Sequence, residues 1–528
     1  MEHLQRKVAT LTVLKKDEAH TVQQENIRAA AVLGSLLKSC IGPKAMAKMI
    51  LTQIGSMELT NDGNCILREM KVTHPVIKSL IELSRTQSEE VGDGTTTVIV
   101  LASEILQNLS ILLKDGVHPI VICAALKKAL DYCLDKMKKY TVDLATLKKE
   151  KGKTEEAVIK TIIRQSIGTK MSRHLMDLEE IALKAINTIR TKKYGRTLYD
   201  IKNNVRIEKV PGGRLEETAI FDGIILQKEL LDPSMKKRID NAKILLIDFP
   251  LEYRKGENQM NIEMHNSEIF GRALEVEEEQ VQKMAMLIVA AEPSVVVSEK
   301  GISDSAIAVF KKHGIAAIRR VKKSDNQRLA LATDAQIVSR PEDVCARYLG
   351  TAGLFEVARI GEDDFCKFIK CASPKACTVL LRGQSKDILN ELERNLYDAL
   401  SAGRNIYTTP GLVYGAGSIE MALAKELEAA TGLTPHESAV FQAVAQALQT
   451  IPGILITNSG NSAHALKKII ELRSCHTQGK STYGVDGESG EIVPTEVIES
   501  VLVKEQSLKS AIEGSIIILR VDGIVKQG

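Results

Sequence analysis

Up to about residue 145, apolar positions recur at helical spacing. Between residues 26 and 40, Ile27, Ala30, Ala31, Leu33, Leu36 and Leu37 fall close to an i, i+3, i+4 stripe, which predicts an amphipathic helix. Gly42-Pro43 reads as its stop, because proline cannot continue a helix and glycine tolerates positive φ. The middle of the chain changes period. Residues 243–249, 295–298, 316–321 and 335–339 are short β-prone runs. Helical patterns lie between them, including Val281, Met284, Leu287 and Ile288, and residues 303–313. This alternation predicts an α/β domain. Residues 355–360, 365–370 and 377–382 read as further strands, and residues 385–405 as a long helix that buries Leu392, Leu396, Ala399 and Leu400. From about Pro410 the pattern is helical again and closes on an expected strand at 515–521. Pro211-Gly212-Gly213 reads as a hinge, and the charged stretch 148–153 as a surface connection. Helical, then mixed, then helical is most economically a discontinuous domain built from both chain ends, with the α/β domain inserted.

Composition narrows the function classes. The 528 residues are 44% apolar and 26% charged, the mix of a folded chain rather than a disordered one. With 71 Lys and Arg against 67 Asp and Glu, the net charge of +4 gives no nucleic-acid footprint, and 3% aromatics without Trp leave little to stack bases. Nine cysteines without a C-x-x-C spacing point to a reduced, intracellular chain; Cys371 and Cys377 are the one close pair able to bridge. No apolar run reads as the ~18 residues needed to span a bilayer. The apolar stretch from Val8 to Leu14 is too short for a signal peptide and runs into Lys15, Lys16 and Asp17.

The segment richest in chemistry is Gly92-Asp93-Gly94-Thr95-Thr96-Thr97. Its glycines let backbone amides approach an anion, its threonines add hydroxyls, and Asp93 offers a hard oxygen to Mg²⁺. The apolar run after it makes a helix N-terminus, where phosphate binds well, an available reading beside a plain Asp-Gly hairpin turn. Thr60-Asn61-Asp62-Gly63 alone is a turn, and Asp398 alone a solvated helix carboxylate. Other signatures fail. Gly479-Lys480-Ser481 has Ser474 where a P-loop needs glycine, His436-Glu437 lacks the second histidine of a zinc-protease helix, and Gly415-Ala416-Gly417 is followed by Glu420 rather than glycine. The acidic run 275–279 and the basic residues Arg319, Arg320, Lys322 and Lys323 read as solvated faces.

Taken jointly, Ile41-Gly42-Pro43-Lys44, Thr60-Asn61-Asp62-Gly63, Gly92-Asp93-Gly94-Thr95-Thr96 and Asp398-Ala399-Leu400 stand in the order and spacing of the group II chaperonins. The resemblance covers essentially the whole chain. Stretches such as Leu251-Glu252-Tyr253-Arg254 and Ile337-Val338-Ser339-Arg340 resemble the eukaryotic cytosolic members. It implies a multi-domain α+β fold in three parts. Residues 1–149 and 405–528 would form a mainly helical equatorial ATP-binding domain, and 150–213 and 375–404 a small α/β intermediate hinge domain. Residues 214–374 would form an inserted α/β apical domain with a helical lid protrusion near 251–279; Ile302, Ile307 and Phe310 are candidate client contacts there, and a place in the core under the sheet is an equally open reading of each. The resemblance further implies a cytoplasmic ATPase in a double ring of paralogous subunits, eight different ones per ring, folding clients such as actin and tubulin, with no nucleic acid and no membrane. Gly42 and Pro43 would line the nucleotide pocket, Asp93 would hold Mg²⁺, and Gly94, Thr95, Thr96 and Thr97 would cradle the ATP phosphates. Asp62 and Asp398 would activate water, Lys170 would sense the γ-phosphate, Glu499 would lie near the ribose, and Gly415 would contact the nucleotide through its backbone. Two departures stand out. The family's Pro-Gly-Gly-Gly is Tyr414-Gly415-Ala416-Gly417 here, and the usual Glu-Pro is missing at Glu499.

Overall fold

The computed structural model describes residues 11–12, 19–51, 55, 57–151, 154–169, 178–193, 195–253, 267–523 and 526–527. Contacts divide the chain into two units. The first joins Met1–Glu179 to Arg394–Gly528, and the second is Glu180–Glu393. Both chain ends therefore build one body, and their short strands Leu11–Thr12 and Lys526–Gln527 pair antiparallel.

In the first unit, α1 (Ala19–Lys38) leads to a hairpin, β1 (Lys48–Leu51) and β2 (Met57–Thr60). Next come α2 (Gly63–Glu69), α3 (Pro75–Glu90), α4 (Thr95–Lys114), α5 (Pro119–Tyr140), α6 (Leu144–Lys151) and α7 (Glu155–Ile167). The predicted stripe on α1 faces inward at Ile27, Ala30, Leu33 and Leu37. Helix α1 ends at Lys38, before Gly42, because a turn from Cys40 N–H to the Leu37 carbonyl closes it first. The expected connection at 148–153 is largely the end of α6, since Lys and Glu are good helix formers when exposed. Helix α4 is the centre of this core: Val98 to Ala102, Ile105, Leu106 and Leu109 are buried against α1, α3 and helices from the far end of the chain. It corrects the reading that no segment is long and apolar enough for a bilayer. By length and composition α4 and the helical run Pro435–Thr477 both qualify, yet most of each apolar window is buried inside the unit, as in core helices of folded domains.

The second unit begins in α8 (Leu178–Ile189) and holds, after the hairpin of Arg190–Lys193 with Arg196–Tyr199, two larger sheets. The smaller of these has order β3 (Val205–Pro211), β12 (Cys377–Gly383), β4 (Ala219–Phe221). The large one is built from β5 (Ile224–Leu226), β6 (Arg238–Ile247), β7 (Val295–Ser298), β8 (Ala316–Ile318), β9 (Ile337–Val338), β10 (Gly350–Ile360) and β11 (Asp363–Ile369). Its order is β8-β7-β6-β10-β11-β5, with β9 also on β6. Strands β6, β7, β8 and β9 run parallel, joined by α9 (Ser267–Ala290), α10 (Asp304–Lys312) and α11 (Lys323–Thr333), the crossover expected of the middle segment. Ile302 and Phe310 are fully buried and Ile307 packs on the same cluster, so these candidate client contacts are core residues under the sheet. Part of the expected lid, residues 254–266, lies outside the described residues; 267–279 is the start of α9. Arg319, Arg320, Lys322 and Lys323 face solvent. All nine cysteines are free, and burial pushes the Cys371 and Cys377 thiols up, to about 11 and about 12.

The long helix α12 (Lys386–Thr408) carries the chain back across the unit boundary. After it come β13 (Gly411–Tyr414), α13 (Ser418–Glu428), α14 (Pro435–Ile456), α15 (Ala465–Thr477), β14 (Tyr483–Val485), β15 (Ile492–Pro494), β16 (Ile498–Ser500) and α16 (Val501–Leu519). The strand expected at 515–521 is the last turns of α16. Ile516 and Ile518 are buried and Ile517 exposed, which imitates strand alternation, but Leu508, Ala511, Ile512 and Ser515 continue the buried face at helical spacing.

Candidate functional site

A cavity of about 900 Å³ opens in the first unit. Its wall takes Gly42 and Pro43, Asn61, the loop 93–97, the end of α7, Ala402, Ala416, Gly417, residues 485–488 and 493–500, and Lys504. Its size and mixed polarity suit a small organic ligand.

The loop 92–97 leads into α4, as the helix reading allowed. Gly94 caps α4 with φ 78°, no side-chain cap takes up the amides of its first turn, and Thr95, Thr96 and Thr97 line the cavity. No acidic residue stands in that turn, and its partial positive charge is available to an anion. Asp93 accepts at Oδ1 from the Gly94 N–H at 2.7 Å and at Oδ2 from the Ser166 hydroxyl at 3.2 Å. Gln87 Nε2 donates to the Asp93 carbonyl at 2.9 Å, which holds the loop from behind. Among the described residues no three His, Cys, Asp or Glu gather to hold a metal on their own. A single hard carboxylate beside hydroxyls instead fits Mg²⁺, which takes few protein ligands and completes its shell with water and phosphate oxygens.

Asp62 is the N-cap of α2 rather than a plain turn residue: its Oδ2 accepts from the Cys65 N–H at 3.2 Å. The Thr95 hydroxyl donates to its Oδ1 at 3.4 Å, tying Asp62 to the anion loop. Its neighbour Asn61 lines the cavity and donates to the Thr169 carbonyl at 2.9 Å.

Asp398 sits on the part of α12 that belongs to the first unit. Arg394 and Ala402 lie one turn to either side of it on one helical stripe. Arg394 Nη1 reaches Glu58 Oε2 at 3.3 Å and Cys65 Sγ at 3.1 Å, beside the Asp62 cap. On the other side, Asn405 Nδ2 donates to the Val91 carbonyl at 2.8 Å and Arg404 to the Glu90 carbonyl, just before the glycine loop. A Cβ at Gly92 would stand 2.3 Å from Ser401 Cβ, so only glycine admits the helix this closely. The segment carrying Asp398 is thus pinned between the Asp62 cap and the Asp93 loop. Ala402, rather than Asp398 or Asp62 itself, reaches the cavity wall. Burial pushes the Cys65 thiol up to about 12 despite Arg394, so it stays a neutral neighbour.

The remaining expected residues fall as follows. Gly42 and Pro43 line the cavity, with Gly487 packed on Pro43. Glu499 lines it from β16, and its Oε1 lies 2.1 Å from where a Cβ on Gly415 would stand. Ala416 lines it and carries its methyl group on a left-handed backbone, φ 55°. Lys170 lies outside the described residues.

Sequence reasoning missed Ser166, Asp486 and Lys504. Hydrogen bonds from Ser489, its hydroxyl first, hold the Asp486 carboxyl below the usual carboxylate range. Ser166 meets Asp93 from 73 residues away in sequence, and its neighbour Gln165 joins the Glu496 and Ile498 backbone groups from more than 300. No local pattern signals any of the three.

A profile of the TCP-1/cpn60 chaperonin family matches residues 33–528. The chain is 45% identical over 518 residues to T-complex protein 1 subunit gamma of Encephalitozoon cuniculi, covering 97% of this chain and 98% of that one. It is 44% identical over 512 residues to the Schizosaccharomyces pombe protein of that name, covering 96% and 95%. For the Homo sapiens protein of that name the identity is 43% over 518 residues, covering 97% and 93%.

Proposed function

The chain belongs to the TCP-1/cpn60 chaperonin family, and from that premise we propose that it is a gamma-type subunit of a eukaryotic cytosolic chaperonin, driven by ATP binding and hydrolysis. The observation that carries this reading is the uncapped, acid-free N-terminus of α4 opening on a nucleotide-sized cavity, with Asp93 in the loop and Asp62 hydrogen-bonded to it. The triphosphate lies against the amides and hydroxyls of Gly94, Thr95, Thr96 and Thr97. Asp93 would hold Mg²⁺, which would supply charge neutralisation. Lys170 meets the γ-phosphate, Gly42, Pro43 and Gly415 contact the nucleotide, and Glu499 faces the ribose. Phosphoryl transfer to water needs in-line geometry and a positioned nucleophile more than covalent help from the protein. Asp62 and Asp398 orient the water and take its proton as the γ-phosphorus–oxygen bond to ADP breaks. Such a base contributes about 10²–10⁴ in rate, roughly 3–5 kcal/mol.

The equatorial, intermediate and apical divisions at 1–149 with 405–528, 150–213 with 375–404, and 214–374 belong to the same proposal. So do the double ring of eight different paralogues, clients such as actin and tubulin, and a cytoplasmic location. Because α12 begins in one unit and ends in the other, a change at Asp398 travels along a continuous helix into the second unit. Closure then follows from ATP making more contacts in the closed state. Proteolysis across residues 251–279 should fall when a transition-state nucleotide mimic is added, and equal cleavage with and without it would remove the gating step. A second reading, a ring scaffold with weak or lost ATPase activity, draws on the Ala416 methyl in the cavity wall. One experiment separates the readings: purify the assembled complex, weigh it intact, and measure Mg²⁺-dependent ATP binding at this subunit. A very large ring that binds ATP here is expected. A ring that does not bind ATP here favours the scaffold, and a monomer overturns both.

A further inference from the structure

Helix α13 starts at Ser418, directly after the loop 414–417 that departs from the family pattern, and its first turn contains Glu420. This carboxylate is 3% exposed. Its Oε1 accepts from Lys504 Nζ at 2.7 Å, and its Oε2 is buried without a hydrogen-bond partner among the described residues. Lys504, in the first turn of α16, also reaches Glu499 Oε2 at 2.8 Å and lines the cavity. Burial disfavours the ammonium, but the Glu420 and Glu499 carboxylates outweigh it and raise its pKa, so it remains charged. Glu499 in turn lies against Gly415, where any side chain would collide with it. Four residues from two stretches, 415–420 and 499–504, thus form one chain of contacts, Glu420 to Lys504 to Glu499 to Gly415.

A buried carboxylate with half its acceptors unsatisfied costs free energy, and well-packed apolar residues often stabilise as well as a buried ion pair. Placement in the first turn of α13 offsets part of that cost through the helix dipole. The arrangement is therefore expensive as mere packing, while its far end holds a side chain of the cavity wall. We infer that Glu420 is a positioning residue of the nucleotide site: acting through Lys504, it fixes the Glu499 carboxylate over Gly415 and thereby sets nucleotide affinity. The inference rests on the nucleotide reading of the cavity.

The test uses intact rings in which this subunit alone retains hydrolysis. Glu420→Gln should raise the KM for ATP about ten-fold, the scale of one charge-assisted hydrogen bond, with kcat within about two-fold. Glu499→Gln should raise KM similarly, and the double variant should add little to either single, because both act along one path. If Glu420→Gln fails to assemble, Glu420→Asp, which keeps the charge but shortens the reach, should show the same split. An unchanged KM in whichever variant assembles, or a fall in kcat with KM unmoved, overturns the inference. If the unaltered subunit binds no ATP in these rings, the nucleotide reading falls and takes the inference with it. If it binds ATP and the variants do not shift KM, only the inference falls.

Discussion

Helices α4 and α13 both begin at a left-handed glycine in the wall of the same cavity, Gly94 at φ 78° and Gly417 at φ 79°, and neither has a side-chain cap. Their backbones are nearly the same, yet their first turns are not. Thr95, Thr96 and Thr97 leave the start of α4 neutral and rich in donors, whereas α13 has Glu420, already paired with Lys504. The positive end of α13 is spent inside the protein, and that of α4 is left for a ligand. A helix N-terminus becomes an anion site through what its first turn omits as much as through its glycine.

The largest break in this comparison is to give α4 the acid that α13 has. Thr96→Glu places a carboxylate where the phosphates belong. ATP affinity should fall by about 100-fold or more, since like charges a few ångströms apart in a partly buried site repel by about 3–4 kcal/mol. An equilibrium binding titration on rings checks it. Next in size are alanine substitutions at the two glycines, read as loss of stability in thermal unfolding. Gly417→Ala should cost about 2–4 kcal/mol, because the left-handed backbone disfavours a Cβ and this one would meet Pro452 Cβ at 2.7 Å, a ring that cannot turn aside. Gly94→Ala should cost only about 1–2 kcal/mol, because its 2.8 Å clash is with the Ser507 hydroxyl, which can rotate. Equal losses at the two positions would mean that the neighbours do not matter. Smallest is Ala416→Gly. It relieves φ 55° but loosens the unfolded chain, so stability should move by no more than about 0.5 kcal/mol.

Much of this architecture is legible in the amino-acid sequence. The β-prone run of three valines and a serine is the buried strand β7, and the apolar stripe between residues 26 and 40 is the buried face of α1. Local windows misled where two periods coincide, as in the isoleucines of α16, and where a turn-like tetrapeptide was a helix cap, as at Asp62. Apolar residues beside a predicted helix, such as Ile302 and Phe310, could have faced a client or the core, and only the packing decided for the core. At the site, the glycine-threonine loop was legible because its chemistry is contiguous. The Glu420–Lys504 pair was not, because its members lie 84 residues apart and each alone looks like a surface charge.

The central claim is that one carboxylate on α12 completes a reaction centre begun by Asp62 and Asp93. Single-turnover hydrolysis by rings in which only this subunit binds ATP tests it most directly. Asp398→Ala should keep ATP affinity within a few-fold and slow hydrolysis by about 10²–10⁴. Hydrolysis at the unaltered rate would contradict the account.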